Sequence, residues 1–256
     1  MKKKEPYIVP AVKRAFDILE FLAVEKEATF VEIYTKLRLP KSSTYQLLTT
    51  MEPRGYIRRI QDGTKYCLGL RLYELGNLAI TKFDIKEEAI PILKSMAEKT
   101  KLACHMAVLD ENEGVYLTHI EGTNPVRLNA WEGKRIPLYA SAMGKALLAW
   151  EDEEKIEQFL KDAKFIKATE NTIITASAFR QHLKVVRDQG WALNDEEWHP
   201  SIRAIAAPIR GVDGKVIAAI DIIGLASDLN DGDLPKYVTI LKESAQELSA
   251  RIGSRV

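Results

Sequence analysis

Val12, Ala15, Phe16, Leu19 and Leu22 recur at spacings of three and four, which predicts an amphipathic helix ahead of residue 29. Thr29 and Glu32 then stand in the T-x-x-E arrangement of a capping box, in which each side chain satisfies a backbone donor at a helix start. Ile33 and Leu37 continue an apolar stripe, with Phe30 beside it. Leu39-Pro40 breaks that helix, and Ser42, Ser43 and Thr44 open another whose apolar positions are Leu47, Leu48 and Met51. This helix stops near Glu52, because the residue before a proline disfavours the helical region. Two strand-like runs, 56–60 and 65–68, flank Gln61-Asp62-Gly63-Thr64, and Asp-Gly between such runs is a strong hairpin signal. Short helices followed by a hairpin form the pattern of a winged helix-turn-helix, which docks its second helix in the major groove of DNA.

Beyond the hairpin, Leu70, Leu72, Tyr73, Leu75 and Leu78 predict a helix with more apolar surface than one face needs, a surplus that often seals a dimer or a domain junction. A further helix is expected over 84–100, with Asp84 as its N-cap, Ile85, Ala89, Ile92, Leu93 and Met96 inward, and Pro91 as an irregularity. The domain boundary is placed between these two helices. The expected organisation is 1–69 as a DNA-binding domain, 70–83 as a linker helix and 84–256 as a second domain. From Cys104 onward, strands are predicted at 105–109, 115–120, 126–130, 202–209 and 216–223. Helices are predicted at 141–150, 153–160, 177–189 (ending at Gly190) and 233–252. Gly211-Val212-Asp213-Gly214 is a second hairpin turn. Adjacent strands joined by tight turns suggest an α+β module built on an antiparallel sheet, not a Rossmann unit.

Charge sharpens the first domain. Between residues 36 and 65, seven Lys/Arg stand against two acids, an excess of five, whereas the whole chain carries +1. A basic excess on the second helix and the hairpin suggests a surface for phosphates, with Lys41, Arg58, Arg59 and Lys65 as contacts. The plainer reading is a solvated Lys-rich surface. Ser42, Ser43 and Thr44 at the helix start suit phosphate contacts; Ser42 and Ser43 also suit a purely capping role. Tyr45 and Gln46 are expected on the groove-facing side. At 256 residues and 46% apolar composition, two domains can each bury a core. Cys67 and Cys104 form neither a disulfide framework nor a zinc spacing and fit a reducing cytoplasm. No run has the length of a membrane span.

The chemistry of a catalyst is missing. There is no G-x-S-x-G, and Tyr139 stands where a P-loop before Gly144-Lys145 needs its first glycine. Cys104 and His105 are adjacent on a strand, so they point to opposite faces and make no dyad. Cys104, His105, His119, Glu121 and His199 lack close metal-ligand spacing. Neither catalysis nor a cofactor is expected. Asp221 interrupts an apolar strand, so it faces solvent, faces a cavity or has a buried partner; alternation places it with Ala219 and Ile223.

The chain resembles the IclR family of bacterial transcription regulators. The likeness rests on Leu39-Pro40-Lys41-Ser42-Ser43-Thr44-Tyr45, Gly55-Tyr56 and Tyr66 with Leu68-Gly69. It rests as well on residues 137–146 (PLYASAMGKA), 190–197 (GWALNDEE) and 205–209 (IAAPI). The resemblance implies a winged helix-turn-helix, a linker helix and a GAF/profilin-like effector domain, assembled as a homodimer or a dimer of dimers on double-stranded operator DNA. Carried over by position, it implies a ligand pocket of Leu128, Ala142, Met143, Asn194, Ala204, Asp221 and Ile223. Ala142 and Met143 also suit a core role. Members that sense small keto acids offer hydroxyls where Asp221 and Ile223 stand, and an Asp at Asn194. A buried anion beside a ligand carboxylate is costly without a cation, so the effector is expected to be less anionic, or larger and more apolar, than glyoxylate or pyruvate. Gln46 stands where the family usually has an arginine, and Gln favours adenine. The expectation is a cytoplasmic repressor of a catabolic operon, responsive to an organic acid or related catabolite. The alternative is a small-molecule sensor whose helical domain makes protein contacts.

Overall fold

The computed structural model describes residues 8–60, 63–80, 85–123 and 130–253, the side chains of 77–80 excepted. The chain divides into two compact units, residues 1–83 and 84–256.

In the first unit, helix α1 (Pro10–Glu25) starts with proline in its first turn, where the missing N–H costs nothing. A two-residue strand, β1 (Ala28–Thr29), leads into α2 (Phe30–Lys36). The capping box forms: Thr29 Oγ1 accepts from the Glu32 N–H, and the Glu32 carboxylate accepts from the Thr29 N–H at 2.7 Å. Helix α3 (Lys41–Met51) follows, then strands β2 (Ile57–Ile60) and β3 (Lys65–Leu68). The three strands form one sheet in the order β1-β3-β2. Ile18, Leu22, Ile33, Leu48, Met51, Ile57 and Tyr66 make a single core under it. Two glycines close the base of the hairpin. A Cβ on Gly69 would lie 2.0 Å from the Gly55 carbonyl oxygen, and Gly55 itself holds φ +75°. Helix α4 (Arg71–Ile80) leaves the hairpin there, with Leu70 and Tyr73 exposed.

The second unit opens with α5 (Ile85–Thr100), which carries Pro91 inside it and buries Ile85, Ala89, Ile92, Leu93 and Met96. Strands β4 (Ala103–Asp110), β5 (Glu113–Ile120) and β6 (Arg135–Pro137) come next. They are followed by α6 (Ala142–Leu148), α7 (Glu153–Asp162) and α8 (Ala176–Gln189), then β7 (Ala192–Asp195), β8 (Ile202–Arg210), β9 (Val216–Leu225) and α9 (Leu234–Gly253). The six strands form one sheet in the order β6-β5-β4-β9-β8-β7, and every pairing is antiparallel. Ile205, Ile220 and Ile222 join the core that α5 and α9 build on one face. Ala204, Ala206 and Ala219 join the core that α6 and α8 build on the other. Alanines on that face let α6 lie close, and all seven of its residues are buried. The α+β architecture expected from the strand and helix pattern is the one observed. The short strands β1, β6 and β7 were not anticipated, and the strand expected at 126–130 falls mostly on residues outside the described set.

Candidate functional site

The exposure of α3 repeats with the helical period. Lys41, Ser42, Tyr45, Gln46, Thr49 and Thr50 are exposed, whereas Thr44, Leu48 and Met51 are buried. One expectation is corrected here. Thr44 has no exposed surface; its Oγ1 donates to the Pro40 carbonyl at 3.0 Å, so it faces the helical core and not DNA. Nor do Ser42 and Ser43 cap the helix, because Pro40 occupies the N-cap without a side-chain cap. Ser43 is half-buried and accepts from the Arg14 guanidinium at 3.1 Å, which ties α3 to α1. Tyr45 remains 58% exposed, its ring edge-on to Phe30 at 6.2 Å.

The hairpin separates its cations. Arg58 and Arg59 are adjacent on β2 and so point to opposite faces. Arg59 donates to the Glu52 carboxylate at 3.1 Å, and its guanidinium lies 5.0 Å from the centre of the Tyr66 ring. Lys65 pairs with Glu27 at 2.6 Å. Arg58 is exposed, opposite Cys67. The four basic residues therefore do not stand alike: Lys41 and Arg58 project, while Arg59 and Lys65 are shared with protein carboxylates.

In the second unit, a cavity of about 300 Å³ lies between α6 and the face of the sheet that carries Ala204, Asp221 and Ile223. Ala142, Met143, Asn194, Ala204, Asp221 and Ile223 all line it, and Leu128 lies outside the described residues. Sequence reasoning missed Tyr116, Lys134, Arg135, Ile136 and Trp198; it considered His105 only as a metal ligand or a partner for Cys104, and His199 only as a metal ligand. The strand register is what would have found His105, since it stands directly opposite Asp221 across β4 and β9. Asp221 is 2% exposed and accepts from the His105 backbone N–H at 2.9 Å. His105 Nδ1 lies 3.0 Å from the same oxygen but off the direction of a hydrogen bond. Asp221 thus both faces a cavity and has a buried neighbour. The His105 ring packs on Tyr116 at 4.9 Å; burial, then the charge of Asp221, push the Tyr116 phenol well up, so it keeps its proton. Cys104 points into the opposite core, where burial raises its thiol. At the rim, Arg135 is shared between Asp110 (2.6 Å) and Glu113 (3.2 Å), and Lys134 sits over Trp131 at 4.9 Å.

Beside the cavity, two of the sequence segments meet. Lys145 is fully buried; it donates to the Leu193 carbonyl at 2.7 Å and to the Glu197 carboxylate. Asn194 Oδ1 accepts from the Glu197 N–H at 2.9 Å, so the pair also orients a cavity residue. Burial pushes the Lys145 ammonium down and the Glu197 carboxyl up, and each partner offsets part of the other's shift. Within the first of these segments, Gly144 lets α6 lie against the chain that leads into it: a Cβ there would lie 2.4 Å from Leu138 Cα.

A winged helix-turn-helix on the same chain as an antiparallel sheet with a ligand-sized cavity defines a one-component transcriptional regulator. The family model described as bacterial transcriptional regulator IclR C-terminal matches residues 77–250, and that of the IclR helix-turn-helix domain matches residues 11–61. The HTH-type transcriptional regulator KdgR of Escherichia coli K12 is 34% identical over 250 residues, covering 98% of this chain and 95% of KdgR. The crystal structure of Thermotoga maritima IclR matches with a TM-score of 0.81 at 29% identity, over 94% of this chain and 98% of that one. An IclR homologue from Microbacterium hydrocarbonoxydans, complexed with 4-hydroxybenzoate, matches with a TM-score of 0.83 at 26% identity, over 95% and 99% of the two chains. The chain belongs to the IclR family of transcriptional regulators, a DNA-binding and non-enzymatic family. Among the described residues, no helix is long and apolar enough to cross a membrane.

Proposed function

We propose that this regulator represses a catabolic operon and that a small metabolite, bound between α6 and the sheet, shifts its operator affinity. The observation that carries this reading is the cavity itself: six positions expected from the family resemblance converge on one space, and one of them, Asp221, is a buried carboxylate. Asp221 supplies acceptors for a ligand hydroxyl, and the Asn194 Nδ2, which no described residue engages, supplies a donor. Apolar walls from Ala142, Met143, Ala204 and Ile223 suit a ligand larger than pyruvate, and the Asp221 charge disfavours a second anion beside it. The homologue bound to 4-hydroxybenzoate is one instance of such a ligand class. DNA is gripped by Lys41, Ser42, Tyr45, Gln46 and Arg58, with Ser43, Arg59 and Lys65 in supporting positions. The active species is a homodimer or a dimer of dimers, with residues 70–83 as its linker.

Fluorescence anisotropy on the DNA upstream of its gene, with and without hydroxylated aromatic or sugar acids, tests the reading. Affinity for that DNA that changes with one such compound supports it, and DNA binding indifferent to all of them counts against the effector half. Calorimetry is expected to show pyruvate binding weakly; tight binding of pyruvate overturns the ligand class.

A further inference from the structure

On the outward face of α3, Thr49 Oγ1 donates to the Tyr45 carbonyl at 2.9 Å, and Thr50 Oγ1 donates to the Gln46 carbonyl at 2.7 Å. Both residues are exposed, yet both hydroxyls are turned back onto their own helix. What each presents outward is a methyl group. Tyr45 adds a ring held edge-on against Phe30. Gln46 is exposed on the same face, and no described residue engages its amide, so it offers one donor and one acceptor side by side.

We infer that this face reads consecutive A·T pairs, with the Gln46 amide on adenine and the Thr49, Thr50 and Tyr45 surfaces on thymine methyls. The major-groove edge of adenine presents an acceptor and a donor together, which matches a carboxamide. The guanine edge presents two acceptors, so the carbonyl of Gln46 meets another oxygen there. The thymine methyl is the apolar group of the groove, and an aliphatic or aromatic surface is its partner. Lys41 is the one cation of α3, and it sits at the first position of the helix, where phosphates lie close to a docked helix. The inference rests on α3 being the groove-reading helix of the proposed regulator.

The test is selection of bound duplexes from a random library by the full chain, followed by anisotropy on the enriched site. Half-sites are expected to contain neighbouring A·T pairs. Deoxyuridine in place of thymine there removes only methyls and is expected to weaken binding about fourfold for each methyl contacted. The Thr49→Ser/Thr50→Ser protein keeps both back-bonded hydroxyls and is expected to lose the uracil penalty at the thymines the two threonine methyls contact, while the penalty at the Tyr45 contact persists. Gln46→Ala is expected to relax the adenine preference, worth roughly 5- to 150-fold for a bidentate contact. Enriched half-sites built on G·C pairs, or uracil bound as tightly as thymine, overturn the inference while leaving DNA binding intact. Enrichment of no duplex even at low salt removes the DNA-binding reading itself, and the inference with it.

Discussion

Replacing Lys145 by methionine leaves the Glu197 carboxylate in the same buried place with no ammonium beside it. Removing one partner of such a pair costs about 3–5 kcal/mol, because the remaining charge has neither water nor a counter-ion. Lys145→Met is therefore expected to lower the urea midpoint sharply, and Lys145→Met combined with Glu197→Leu to recover most of the loss. If the double variant is no more stable than the single one, the pair is not what holds this corner of the fold. His182 borders the same ammonium at 3.4 Å. Burial, then Lys145, lower its pKa from 6.5 to about 4. The unfolded chain thus takes up a proton near pH 6.5 while the folded chain resists until about 4. The stability this group contributes is full above pH 6.5 and is lost as pH falls towards 4. His182→Gln is expected to flatten that acid limb in denaturation curves taken across the window, and an unchanged limb contradicts the assignment. Neither role is visible in sequence: Lys145 sits in a segment that reads as a failed P-loop, and His182 reads as one histidine on a charged helix.

At the scale of the element, α3 and the hairpin divide phosphate contacts from internal ones. Lys41→Ala and Arg58→Ala are each expected to weaken binding to every duplex and to reduce the salt slope by about one. Arg59→Ala and Lys65→Ala are expected to change that slope less, since Glu52 and Glu27 already hold those cations. Equal slopes in all four variants contradict this partition. The helices themselves were legible, because their apolar residues repeat at three and four and their ends carry capping or breaking residues: Thr29, Pro40, Pro53, Gly190. Strands β1, β6 and β7, two to four residues each, are too short for a period of two to show. They exist because longer neighbours offer them free edges. Thr44 was misplaced for a related reason. A threonine at a helix start looks like a cap or a phosphate contact, but its place one turn before Leu48, on the stripe of α3 that the core buries, turns it inward.

For the whole molecule, an effector changes operator affinity only if it binds two arrangements of the protein unequally. Asp221 touches the cavity and lies in the second unit, so Asp221→Ala is expected to alter the response to ligand while leaving operator affinity of the free protein unchanged. Anisotropy titrations with and without effector check this, and a variant that loses operator affinity without ligand shows that Asp221 supports the fold itself. Local chemistry alone determined the α+β class, the helix-turn-helix and the basic excess around α3, and the family likeness supplied six of the residues that came to line the cavity. Periodicity, capping and turn preferences are properties of neighbours in the chain, and a family likeness carries positions across. The pairing of His105 with Asp221, the burial of Lys145 against Glu197 and the inward turn of Thr44 were decided by tertiary structure. Each joins residues whose meeting depends on strand register or helix packing, and that is settled only when distant segments compete to bury the same surface.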